Sequence, residues 1–165
     1  MKRLAHVNDM TLERFVESFG DVAEHSAWVA EAAARRRPFA SRQKMIEAFA
    51  DALLSATPEA QLAVLRAHPD LAVKAKLTAD SSREQKGVGL DTLSPLEFGR
   101  FTGLNTRYKM RFGFPFIFAV RGATKHQILD SFENRINRGA DAEFAMALDQ
   151  VCRIIGFRIE DRVAP

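Results

Sequence analysis

Cysteine is almost missing from this sequence: Cys152 stands alone among 165 residues. An intramolecular disulfide is thereby impossible, and the paired-cysteine spacings that hold zinc are absent. Long apolar runs are missing too. None approaches the ~18 residues of a membrane span, and the opening Met1-Lys2-Arg3 has charge with no apolar stretch behind it, so neither a membrane association nor a secretory leader is expected. The C-terminal Arg162-Val163-Ala164-Pro165 is not a peroxisomal address, which leaves the cytoplasm as the expected compartment. An excess of charge of one sign is lacking as well. The balance of 24 basic against 21 acidic residues gives +3, too mild for the electrostatic footprint of a nucleic-acid binder, so no nucleic-acid partner is expected. The one basic run, Arg35-Arg36-Arg37 before Pro38, suits the last turn of a helix. Its other reading is a phosphate-contacting patch, which would make the chain a helical nucleic-acid-binding module.

What is present is an apolar pattern of helical period. Strand alternation, internal repeats and low-complexity linkers do not interrupt it. Leu12, Phe15, Val16 and Phe19 share one helical face, with Asn8, Asp9 or Thr11 as the cap. The alanine-rich Glu24 to Arg37 predicts a second helix, Ser41 opens a third, and Thr57-Pro58 opens a fourth. Ser94-Pro95-Leu96-Glu97 is a clean capping box before a long helix, Thr124 opens another, and Asp141 caps the last. The expectation is an all-α, single-domain bundle of about eight helices over 1–165, a length that can bury a sizeable core. One stretch departs from it. Gly113 and Pro115 break the apolar run Arg111 to Val120, so Phe114 to Val120 should be extended or irregular. Its backbone donors must then find partners in protein, water or a ligand.

Acids, bases and hydrogen-bonding groups gather between His68 and Leu90. Pro69 biases His68 away from helical angles and is itself suited to start a short helix. Asp80 to Lys86 predicts a further helix, in which Ser81 and Glu84 either form a capping box or face a ligand. Gly87-x-Gly89 ends it and lacks the longer glycine pattern of a nucleotide loop. On the last helix the stripe Phe144, Leu148, Val151 and Ile155 continues to Arg158. A guanidinium there needs an anion, an internal ion pair or a path to solvent. The four histidines lie far apart and none forms a helical pair with another ligand, so no metal site is expected. Histidine beside a carboxylate suits proton transfer, and arginine can clamp a carboxylate through two parallel hydrogen bonds. Together these groups suit proton-transfer chemistry on a small anionic polar molecule.

Five segments, taken in order, give a resemblance. They are GDVAEHSAWVAEAAARRRPF from Gly20 to Phe39, HPDLA at 68–72, SSREQKGVGL at 81–90, YKMRFGFPFIFAV at 108–120 and RIIGFRIEDRV at 153–163. The chain resembles, over most of its length, the 2-oxo-4-hydroxy-4-carboxy-5-ureidoimidazoline (OHCU) decarboxylases of purine catabolism. It departs at Gly87-Val88, where an alanine often precedes the Gly-Leu pair. The resemblance implies an all-helical enzyme without a cofactor, a homodimer, that completes the conversion of urate to (S)-allantoin. It also implies roles: His68 as catalytic acid/base with Glu84 as its partner, and Pro69, Ser81 and Gln85 lining the pocket. Backbone groups of Phe116, Ile117, Phe118, Ala119 and Val120 would bind the ring, and Arg158 the polar substituents. A related lyase or hydrolase acting on another ureido acid would share this pocket and differ in its product.

Overall fold

The structure, a computed structural model, describes residues 1–73 and 77–165. It is all-α: the described residues form nine helices and no strand, apart from one isolated parallel bridge between Lys2 and Val163. The chain gathers into two compact units. One comprises Met1–Ala67 with Val151–Pro165, the other His68–Gln150.

The first unit opens on α1 (Leu4–Asn8), a single turn that sequence periodicity did not predict because five residues carry too little pattern. In α2 (Leu12–Phe19) the cap is Thr11, whose hydroxyl accepts from the Arg14 amide at 3.3 Å. Phe15 and Phe19 are fully buried on its inner face, and Phe15 packs against Phe39 and Phe49. Gly20 follows because nothing larger fits: a Cβ there would meet the Val16 carbonyl at 2.6 Å. The second helix, expected over Glu24 to Arg37, is shorter: α3 runs Trp28–Ala34. His25, in a left-handed conformation at φ 47°, breaks the helical path, and the Ser26 hydroxyl bonds back to the Glu24 carbonyl at 2.8 Å. Helices α4 (Arg42–Leu54) and α5 (Pro58–Ala67) begin where Ser41 and Thr57 predict. Buried Gln61 of α5 donates to the carbonyls of Leu53 and Leu54, both at 3.1 Å, satisfying the end of α4.

Two of the three arginines in the basic run are engaged within this unit, and Arg35 is exposed. Arg36 pairs with Asp51. Arg37 donates to the carbonyls of Ala34, Val7 and Met10 and lies 4.8 Å over the Phe15 ring.

The second unit holds α6 (Ala79–Gly87), α7 (Pro95–Phe112), α8 (Lys125–Arg135) and the start of α9 (Ala140–Arg162), which from Val151 belongs to the first unit. The short helix expected after Pro69 does not form over residues 69–73, and the remainder of that expected segment, 74–76, lies outside the described residues. The capping box of Ser94 with Glu97 and that of Thr124 with Gln127 both form. The Lys125 ammonium, followed by the Ser94 amide, holds the Glu97 carboxyl down at about 2. Its contribution to stability is therefore complete above the ordinary carboxylate range and fades as pH falls toward that value. Ser94→Ala should cost about 1 kcal/mol, read as a melting temperature lower by about 2–4 °C. α7 ends at Gly113, left-handed at φ 78°, whose amide donates to the Lys109 carbonyl at 2.9 Å. As expected, no regular structure follows from Pro115 to Val120.

Candidate active site

His68 opens the second unit and is 8% exposed, with its Nε2 atom buried. Beyond it the chain makes a tight non-helical loop, Pro69 to Val73, held by three side chains. Gln85 of α6 accepts from the Ala72 amide at 2.9 Å through Oε1 and donates to the Asp70 carbonyl at 3.4 Å through Nε2. Asn105 of α7 donates to the Leu71 carbonyl at 2.8 Å. One turn further on, Lys109 pairs with the Asp70 carboxylate at 2.7 Å. Ala72 sits at φ 58°, a left-handed conformation that costs a side-chain-bearing residue free energy.

The cap of α6 is Thr78, whose hydroxyl accepts from the Ser81 amide at 3.3 Å, so Ser81 is not the cap and the capping-box reading of Ser81 and Glu84 fails. Ser81, Glu84 and Gln85 lie inside the helix at spacings of three and one, which puts all three on one face. Ser81 and Gln85 are buried and Glu84 half-buried. The structure thus brings Gln85 onto the histidine loop itself, and Ser81 and Glu84 onto the same side of its helix.

The segment Phe116 to Val120 is braced by polar groups that sequence reasoning did not single out. Arg135 donates to the Ile117 carbonyl at 2.7 Å, and Gln150 accepts from the Ala119 amide at 2.9 Å. Of the backbone groups expected to meet a ligand, those two already have protein partners. Phe116 stacks on Phe132 at 3.8 Å between centroids, and the Arg135 guanidinium lies 4.4 Å over the Phe116 ring. Phe116, Ile117, Ala119 and Val120 are buried, and Phe118 is partly exposed.

Arg135 is in turn held by Glu143, which is fully buried. Its Nε donates to Glu143 Oε1 at 2.6 Å, and the Tyr108 hydroxyl donates to the same oxygen at 2.6 Å. Arg135 Nη2 is as close, but its angle leaves it without a proper hydrogen bond. Burial, and then the adjacent carboxylate, push the Tyr108 phenol well above its ordinary range, so it remains a donor. These partners are 35 and 8 residues apart in sequence. No spacing rule flags them, although two charged residues within apolar helix faces are a weak signal.

Arg158 belongs to the first unit. Sequence left it between an anion site and an internal ion pair; it makes the ion pair, donating to Glu24 Oε1 at 3.0 Å and to the Val22 carbonyl at 3.2 Å, with both charged side chains at most 2% exposed. Glu24 went unnoticed because an alanine-rich helical reading places it on a surface turn. A crevice of about 460 Å³ lined by Ala72, Val73, Leu90, Leu93, Phe98 and their neighbours contains none of the assigned site residues. Among the described residues no three His, Cys, Asp or Glu side chains could share a metal ion, and no helix is long and apolar enough to cross a membrane.

The buried histidine loop and the facing polar side chains of α6 fit the motifs in which the resemblance was seen, and comparison with known proteins agrees. The chain is 40% identical over 159 residues to the 2-oxo-4-hydroxy-4-carboxy-5-ureidoimidazoline decarboxylase of Haloferax volcanii, covering 96% of this chain and 95% of that one. It is 37% identical to a uric acid degradation bifunctional protein of Bacillus subtilis, covering 94% of this chain and 31% of that protein. A crystal structure of (S)-allantoin synthase superposes with a TM-score of 0.81 at 28% identity, over 98% of this chain and 54% of that one. The OHCU decarboxylase family profile matches residues 8–160, and the chain belongs to that family.

Proposed function

We propose that this chain decarboxylates OHCU to (S)-allantoin without a cofactor, as one domain, with His68 as the acid/base and Glu84 as its partner. The observation that carries the reading is a histidine buried at the head of a loop clamped by Gln85, in a chain whose family match runs nearly end to end. The substrate carries the carboxylate and a hydroxyl on one ring carbon, beside the carbon that bears the ureido group. When the carbon–carboxylate bond breaks, its electron pair passes into the ring and is delocalised over the adjacent C=N, which takes up a proton. The resulting enol loses its hydroxyl proton to a base and gains a proton on the ureido-bearing carbon. No external electron sink is needed. The protein has to hold the carboxylate out of the ring plane, stabilise the developing charge and move protons.

His68 accepts the hydroxyl proton and returns one to the ring, and delivery to a single face sets the chirality. Glu84 holds the hydroxyl or ureido end. Pro69, Ser81 and Gln85 line the pocket, and backbone groups between Phe116 and Val120 bind the ring. Arg158 is assigned the polar substituents from the family's pattern alone. The chain acts as a cytoplasmic homodimer on small-molecule substrate, without nucleic acid or membrane as partner.

Supplying urate with its upstream enzymes and following chiral allantoin by circular dichroism and proton NMR tests the reading. The expected result is accelerated formation of one enantiomer, against the slow racemic product of decay in water. Unchanged decay would overturn the assignment, and a product other than allantoin would identify a lyase or hydrolase of another ureido acid.

A further inference from the structure

Asn105 is 4% exposed and makes one of the four hydrogen bonds open to its side-chain amide among the described residues. Its amide nitrogen donates to the Leu71 carbonyl, while Oδ1 is buried with no hydrogen-bond partner among the described residues. A leucine or methionine would fill the position without leaving an acceptor unmet. Such a residue is there for the one bond it makes, and that bond ends at a particular place. The Leu71 carbonyl and the Ala72 amide belong to the same peptide plane. Asn105, from α7, holds its oxygen, and Gln85, from α6, holds its nitrogen. Ala72 is left-handed on the far side of that plane. The ordinary way for alanine to leave that conformation is for the preceding peptide plane to flip, reversing φ. Both polar ends of the plane are pinned against it, as expected where the surroundings over-determine a strained residue. Three residues before Leu71, linked through the fixed φ of Pro69, stands His68.

We propose that Asn105 is a positioning residue: with Gln85 it locks the 71–72 peptide plane, keeps Ala72 left-handed and thereby fixes the imidazole of His68. The role rests on the assignment of His68 as the acid/base. Gln85 alone holds the plane by one hydrogen bond; because the carbonyl and the amide turn together, the bond from Asn105 makes a flip break two. Lys109, one turn beyond Asn105, ties the side chain of Asp70 and not this peptide.

The test uses the full chain carrying Asn105→Leu, which preserves bulk and removes the donor. Asn105→Asp, which preserves shape and turns an oxygen toward the Leu71 carbonyl, serves if the leucine variant fails to fold. The kcat on freshly made substrate should fall ~10- to 100-fold with KM within about threefold, the effect of a displaced catalytic group. Hydrogen exchange at the Ala72 amide should quicken, and the His68 imidazole NMR signals should shift. Adding Ala72→Gly, for which left-handed backbone carries no steric cost, should restore kcat about fivefold. Unchanged kcat, or a loss confined to KM, overturns the proposal, the latter by making Asn105 a substrate contact. Failure of the glycine to restore turnover overturns it as well. Should the parent chain show no activity on this substrate, the functional reading fails. The Ala72 exchange and the His68 signals then still decide: a response in both upholds the lock, and no response in either removes it.

Discussion

His68→Ala should lower turnover of freshly made substrate ~10²- to 10⁴-fold, the range that a positioned acid or base contributes. The far-UV spectrum should be unchanged. His68 is buried at the start of a loop whose shape is imposed by Gln85, Asn105 and Lys109 through Asp70, Leu71 and Ala72, so the loop survives loss of the imidazole. The residual reaction should also lose handedness. Decarboxylation needs mainly orientation, whereas the stereocentre is made by the proton that follows, and without His68 that proton comes from water on either face. Enantiomeric excess and rate, measured on the same samples, separate the two contributions. Glu84→Ala should reduce the rate less and leave the product chiral. Near parental turnover in both variants would remove the assignment of the acid/base to this pair.

The second large effect is expected far from the histidine. Glu143→Ala should destabilise the fold by about 3–5 kcal/mol, the cost of leaving a buried charge without its counter-ion. At about 2–4 °C per kcal/mol for a chain of this size, the melting temperature should fall by on the order of 10 °C. Glu143 accepts from both Arg135 and Tyr108, and it has no exposed surface. With the carboxylate gone, Arg135 remains buried beneath the Ile117 carbonyl and the Phe116 ring, having lost the carboxylate that pairs with it among the described residues. Glu143→Gln preserves an acceptor for Tyr108 and removes the charge, and should fall between parent and alanine variant. Thermal melts of the three proteins check this ordering, and equal melting temperatures would deny the carboxylate its structural role.

Much of the fold could be read from local chemistry. The box at Ser94 and the helix start at Thr124 formed where their side chains predicted, because capping is settled within four residues. The irregular stretch after Gly113 was legible for the same reason: a glycine and a proline act on their own backbone. What escaped was set by distant partners. Glu24 reads as a helix residue until Arg158, 134 positions away, turns it inward. The cap of α6 moved from Ser81 to Thr78, since both offer a hydroxyl at a suitable spacing and only packing of the buried Ser81 chooses between them. Ala72 gave no sign at all, because alanine is not a residue that seeks left-handed backbone. At the candidate site, His68 was conspicuous through Pro69, and Gln85 through its neighbours. Asn105, Arg135, Glu143 and Gln150 were not, because a buried polar residue looks like a surface one until its partner is known.

The bridge between Lys2 and Val163 brings the two ends of the chain side by side, with the Lys2 amide on the Arg162 carbonyl at 2.7 Å and the Ala164 amide on the Lys2 carbonyl at 2.9 Å. Both tails are thereby fastened instead of fraying, as free termini commonly do. An affinity tag or a second enzyme fused at either end would leave from the same spot, and a short peptide could join the two ends into a ring.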